Sequence, residues 1–122
     1  MGMGRGSAIM VLLLCLFVIE SEMVHAATYR VGGAGGWTFN TVGWPKGKHF
    51  RAGDRLVFKY SPGAHNVAVV NKSGYAGCKT QRGSKVYHSG KDQITLVRGM
   101  NYFICSFVGH CQFGMKIAIY AP

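Results

Sequence analysis

No apolar run in this sequence is long enough to cross a membrane. The most apolar stretch, Ala8–Ile19 (AIMVLLLCLFVI), holds twelve uncharged residues, and a spanning helix needs about 20. Heptads and long amphipathic helices are missing as well, which leaves no basis for a coiled coil or a helical bundle. Gly32–Gly36 (GGAGG) is followed by neither Gly-Lys-Ser/Thr nor a helical pattern, so it is a turn or loop rather than a phosphate-binding loop. Position 6 is Gly6, where a myristoylation signal wants Ser or Thr. No repeat, low-complexity tract or linker divides the chain, and one domain is expected. Acid is scarce: four Asp and Glu stand against fourteen Lys and Arg, for a net charge of +10. The basic residues are scattered singly, without the run that marks a nucleic-acid-binding arm.

What is present begins with a leader. Arg5, the Ala8–Ile19 run, a short polar stretch, and Val24 and Ala26 at the −3 and −1 positions form the layout of a secretory signal peptide. Cleavage is expected after Ala26, removing residues 1–26 and leaving a domain over residues 27–122. That domain has 96 residues, enough to bury a core. It keeps thirteen Lys and Arg but only Asp54 and Asp92, a net charge of +11. Such a surface favours polyanions. Outside a cell these are acidic polysaccharides, anionic membranes or acidic proteins. The chain stops two residues after its last expected strand, so no lipid-anchor tail is expected.

Cysteine count sharpens the picture. Cys15 lies in the leader, and Cys78, Cys105 and Cys111 remain. Secretion favours a disulfide, and an odd number leaves one thiol for another task. Short runs rich in Val, Ile, Phe and Tyr alternate with Gly, Pro, Asn and Ser. Strands are expected at Thr28–Val31, Arg55–Tyr60, Asn66–Val70, Gln93–Val97, Asn101–Cys105 and Met115–Tyr120. Lys72–Ser89 has weak strand character and room for a short helix. The fold class is all-β, an antiparallel sandwich or barrel. Trp37, Phe39, Trp44 and Phe58 are read as core.

The chemistry concentrates in CSFVGHCQFGM, where Cys105, His110 and Met115 stand five residues apart. If one strand ends at Cys105 and the next begins at Met115, one loop gathers all three at an end of the sandwich. Thiolate, imidazole and thioether are soft ligands that suit copper better than calcium or magnesium. A blue-copper site needs a second histidine, and His65, beside the turn SPGA, is the natural candidate. Each piece has a plainer reading: Met as core filler, His as a solvated side chain, Cys as a small buried hydrophobe. Zinc is the rival metal, but methionine is a poor zinc ligand. One mononuclear site with a filled coordination sphere leaves no place to reduce oxygen, so an oxidase, and enzyme activity generally, is not expected. Asn71-Lys72-Ser73 is a sequon that marks Asn71 as a candidate glycosylation site; an unmodified turn explains it as well.

VGGAGGWTFN, WPKGKHFRAGD, HNVAVVN, KVYHSGKDQI and YFICSFVGHCQFGMKIAIYAP carry a resemblance over essentially all of Ala27–Pro122. The chain resembles the phytocyanins, secreted plant blue-copper proteins, on their plantacyanin branch. The resemblance implies a cupredoxin-like Greek-key β-sandwich with one or two short helices. It implies one type I copper held by His65, Cys105, His110 and Met115, with Asn66 tying the ligand loops together. It pairs Cys78 with Cys111 and implies a monomer of the plant apoplast or cell wall that transfers single electrons with a small-molecule or protein redox partner. The alternative it leaves is an extracellular-matrix or signalling protein of plant reproductive tissue, bound to acidic polysaccharide, with copper structural or incidental. Met115 in place of glutamine separates the chain from the stellacyanin branch. Val108 stands where proline is common, which is expected to loosen the ligand loop. His49 and His88 are expected to be surface histidines, and Phe113 adds apolar surface beside the site.

Overall fold

The computed structural model describes residues 25–122. The expected leader through residue 24 lies outside the described residues. Seven strands form two sheets: β1 Thr28–Arg30, β2 Arg55–Lys59, β3 Val67–Val70, β4 Val86–Tyr87, β5 Lys91–Thr95, β6 Gly99–Ile104 and β7 Lys116–Ala121. One sheet has the order β1-β2-β5 and the other β4-β3-β6-β7. A single α-helix, α1 (Lys72–Gly77), and two 3-10 turns, Gly33–Gly35 and Cys111–Phe113, complete the described elements.

The period-two pattern explains the sandwich. In β2 and β5 alternate side chains are buried, and β7 follows the same rhythm. Leu56 and Ile94 pair across one sheet, Phe103 and Ile117 across the other. Phe58 meets Phe103 with ring centroids 5.3 Å apart, which joins the two sheets through the core. Asn101 closes the β5–β6 turn by accepting from Val97 N and donating to Val97 O and Gly99 O.

Two details depart from expectation. β1 pairs with β2 in parallel, not antiparallel. The segment between them is long enough to reverse direction and return, and it inserts Trp37 into the core on the way. Gly36 permits this: at φ +72 it brings the chain so close to β2 that a Cβ would sit 2.7 Å from Lys59 O, while Trp37 N donates to that same oxygen. The second is β4, a two-residue strand inside Lys72–Ser89, a stretch expected to have weak strand character and room for a short helix; that helix is α1.

Both acidic side chains among the described residues are buried. Asp54 accepts from Ala27 N and Arg51 N. Asp92 accepts from Ser89 N and Oγ and from the Tyr60 hydroxyl. Burial, then the hydrogen bond to Asp92, pushes the Tyr60 phenol well above its ordinary value. A group held protonated by the fold contributes stability that is complete below its unfolded pKa, about 10 for tyrosine, and is lost as pH rises beyond it. Tyr60→Phe is therefore expected to unfold more easily at neutral pH, by about 1–3 kcal/mol for the unpaired Asp92 oxygen, yet to lose less further stability above pH 10. Denaturant midpoints across the alkaline range check this.

Candidate metal centre

Four short segments meet at one end of the sandwich. A turn in which Ala64 N and His65 N both donate to Ser61 O delivers His65 just before β3. β6 ends at Ile104, so Cys105 is the next residue. Its N–H donates to Met115 O across the neck of the loop. Within the loop His110 N donates to Phe107 O and Met115 N to His110 O, so the loop folds back on itself. The expected gathering of Cys105, His110 and Met115 on one loop is what the backbone shows.

The donor atoms of His65, Cys105 and His110 all lie within 4.8 Å of one another. The two histidine Nδ1 atoms are 3.1 Å apart, and Cys105 Sγ is 3.5 Å from His110 Nδ1. Cys105 is fully buried and the imidazoles half-buried. Met115 is fully buried in the core cluster beneath the loop. Burial, helped by the neighbouring His110, lowers the His65 pKa and keeps its imidazole in the neutral, lone-pair-bearing form. Three nitrogen and sulfur donors converging without a carboxylate form a pocket for a soft or borderline cation.

The surroundings hold these groups in place. Asn66 Nδ2 donates to Ser106 Oγ at 2.7 Å, and Ser106 N donates to Asn66 Oδ1 at 2.8 Å. The residues after His65 and after Cys105 are thus clamped together. Trp37 Nε1 donates to Asn66 O at 2.8 Å from inside the core. The Cys78–Cys111 disulfide fastens the residue beside His110 to the end of α1. Asn71 caps that helix: its side chain accepts from Gly74 N and from the Ser73 hydroxyl.

Phe39 corrects the reading of the aromatics as core. It is 40% exposed, with its ring 5.6 Å from the His65 ring and 4.8 Å from the His110 ring, edge-on to both. Asn40 N and Thr41 N donate to Phe113 O and Gly114 O, which docks this segment on the ligand loop. No periodic pattern covers residues 32–50, so only the Trp37-x-Phe39 spacing hinted that the two aromatics face different surroundings. Val108 and Phe113, 100% and 70% exposed, extend the apolar rim. His49 and His88 are exposed and away from the cluster.

Phe107–His110 is a turn with Val108 at its second position and Gly109, φ +83, at its third. That is where a type II turn prefers proline and then glycine. Val108→Pro is expected to raise stability by about 0.4–1 kcal/mol through the unfolded state. A higher thermal midpoint at unchanged metal content is the readout.

Comparison with known proteins places this arrangement. The profile of the plastocyanin-like domain matches residues 37–115. The basic blue protein of Arabidopsis thaliana is 52% identical over 99% of both chains. Among solved structures, cucumber basic protein, described as a blue copper protein, superposes with a TM-score of 0.78 at 64% identity, covering 79% of this chain and 100% of that one. Spinach plantacyanin superposes with a TM-score of 0.70 at 56% identity, with the same coverage. A matched profile, identity above one half and a shared fold together show that the chain belongs to the plastocyanin-like family and, within it, to the phytocyanins of the plantacyanin type.

Proposed function

We propose that the protein is a secreted blue-copper electron carrier whose single type I copper is held by His65, Cys105, His110 and Met115. The observation that carries this reading is the convergence of one thiol and two imidazoles within 4.8 Å, beneath a loop that ends at a buried methionine. The donor set fits the metal: two histidines and a cysteine with a weak methionine are the ligands of blue-copper electron-transfer sites. The bound copper supplies a one-electron couple, Cu(II)/Cu(I).

The chain supplies the rest. His65 and His110 offer imidazole nitrogens, and Cys105 offers its sulfur in a place closed to solvent. The Asn66–Ser106 clamp and the disulfide keep the donors from moving when charge changes, which keeps reorganisation small. His110, on the short loop and beside the exposed Val108, Phe113 and Phe39, is the exit for the electron, and this apolar rim is the docking face for a redox partner. Passage through the oxidising secretory pathway, with removal of residues 1–26, fits the Cys78–Cys111 disulfide. Asn71 is exposed, as glycan attachment requires.

Visible and electron-spin-resonance spectra of copper-loaded residues 27–122 test the reading. An intense red-absorbing band with small copper hyperfine splitting is expected. A weak band with the splitting of ordinary tetragonal copper would refute it.

A further inference from the structure

We propose that an open cleft of about 690 Å³ between the Val42–Arg51 segment and the β7 flank binds a linear uronic-acid oligosaccharide. This goes beyond electron transfer and does not depend on copper. Lys46, Lys48, His49 and Arg51 line the cleft within six sequence positions, and all four are exposed. Tyr75 and Tyr120 stand on the same lining, with Tyr120 61% exposed. The lining carries no acidic side chain. Asp54 and Asp92 are turned inward and saturated by hydrogen bonds, so no described carboxylate side chain neutralises these cations. Lys48 is held in place, its Nζ donating to Trp44 O and lying 5.0 Å from the indole centroid.

Shape and composition narrow the ligand. The volume falls within the range of about 300–1,000 Å³ typical of small-ligand sites, room for a few sugar rings. Cations along the 46–51 wall and the exposed Tyr120 in the same lining match a chain that presents carboxylates together with apolar C–H faces. A flat bilayer does not enter a concave cleft, and among the described residues no long helix or ribbon is offered to a nucleic-acid groove. The cleft runs away from the metal centre: its Val42 end abuts the ligand loop, where Val42 N donates to Gly114 O, while Tyr120 is five residues along β7 from Met115, roughly 16 Å at the strand rise. A ligand seated on Lys46, Lys48, Arg51 and Tyr120 therefore leaves the metal site open.

The test is titration of an oligogalacturonate of defined length into copper-loaded and metal-free residues 27–122, followed by calorimetry and by amide NMR shifts. Saturable binding of equal affinity in both forms is expected, with shifts at Lys46, Lys48, Arg51 and Tyr120 and an unchanged red band. Lys46→Gln with Arg51→Gln should weaken binding about tenfold, and Tyr120→Ala several-fold at constant charge. Lys59→Gln with Lys91→Gln, on the other sheet, removes the same charge and should change affinity less than about twofold. Unfolding midpoints confirm that each variant is folded. If the distant pair weakens binding as much as the cleft pair, or if Tyr120→Ala has no effect, the attraction is diffuse charge and the proposal falls. Equal competition at these residues by a single-stranded oligonucleotide, or by the fully methyl-esterified sugar, would overturn it too.

Discussion

Cys105→Ser is expected to abolish the red-absorbing thiolate-to-copper band completely while leaving a folded protein. Cys105 is the free thiol among the described residues, and a serine hydroxyl cannot supply the covalent thiolate bond on which a blue-copper site depends. Copper held by His65 and His110 alone should show the wide hyperfine splitting of a tetragonal ion. The fold should survive, because the N–H of residue 105 still donates to Met115 O. Burying a hydroxyl in place of a fully buried sulfur costs about 1–3 kcal/mol, which lowers the midpoint without removing the transition. A band that persists in the variant would show that another sulfur binds the metal. Spectra and unfolding curves from one preparation separate the two effects.

Removing the disulfide should give the largest loss of stability. Cys78→Ser with Cys111→Ser frees a loop with a sequence separation of 33, worth about 3–4 kcal/mol in the chain-entropy account. For a domain of this size that is roughly 15–25 °C in thermal midpoint. The consequence is local as well. Cys78 holds a left-handed conformation, φ 54, at the end of α1, and a six-residue helix has little stability of its own. Without the bond, α1 loses its anchor and His110 loses the restraint on its neighbour. The copper affinity of the variant should fall together with its stability. Thermal unfolding of the metal-free pair of proteins isolates the first effect, and metal titration the second.

Much of this architecture was legible in the residues, and the rest was hidden for physical reasons. β2, β5 and β7 announce themselves because each buries one face and keeps a period-two alternation, and β3 and β6 because they are short apolar runs that bury neighbouring residues on both faces. The loop that carries Cys105 and His110 was legible because its ends are strand ends. β4 was not, since Val86–Tyr87 gains strand character only from pairing with Val67 and Ala68. The parallel pairing of β1 was not either, because three residues with pattern exposed, half-buried, exposed carry no direction. Phe39 escaped because burial of an aromatic is the default, and its approach to His65 and His110 arises from hydrogen bonds that span 73 residues of sequence, such as Asn40 N to Phe113 O. The cleft escaped because residues 42–51 and 118–122 meet only in the folded chain.

The measurement that tests the central claim most directly is spectroelectrochemistry of copper-loaded residues 27–122. The account predicts that one electron per protein bleaches the red band, that reoxidation restores it fully, and that the cycle repeats without loss of metal. A band that fails to return, or copper that is released on reduction, would contradict a site built to carry electrons.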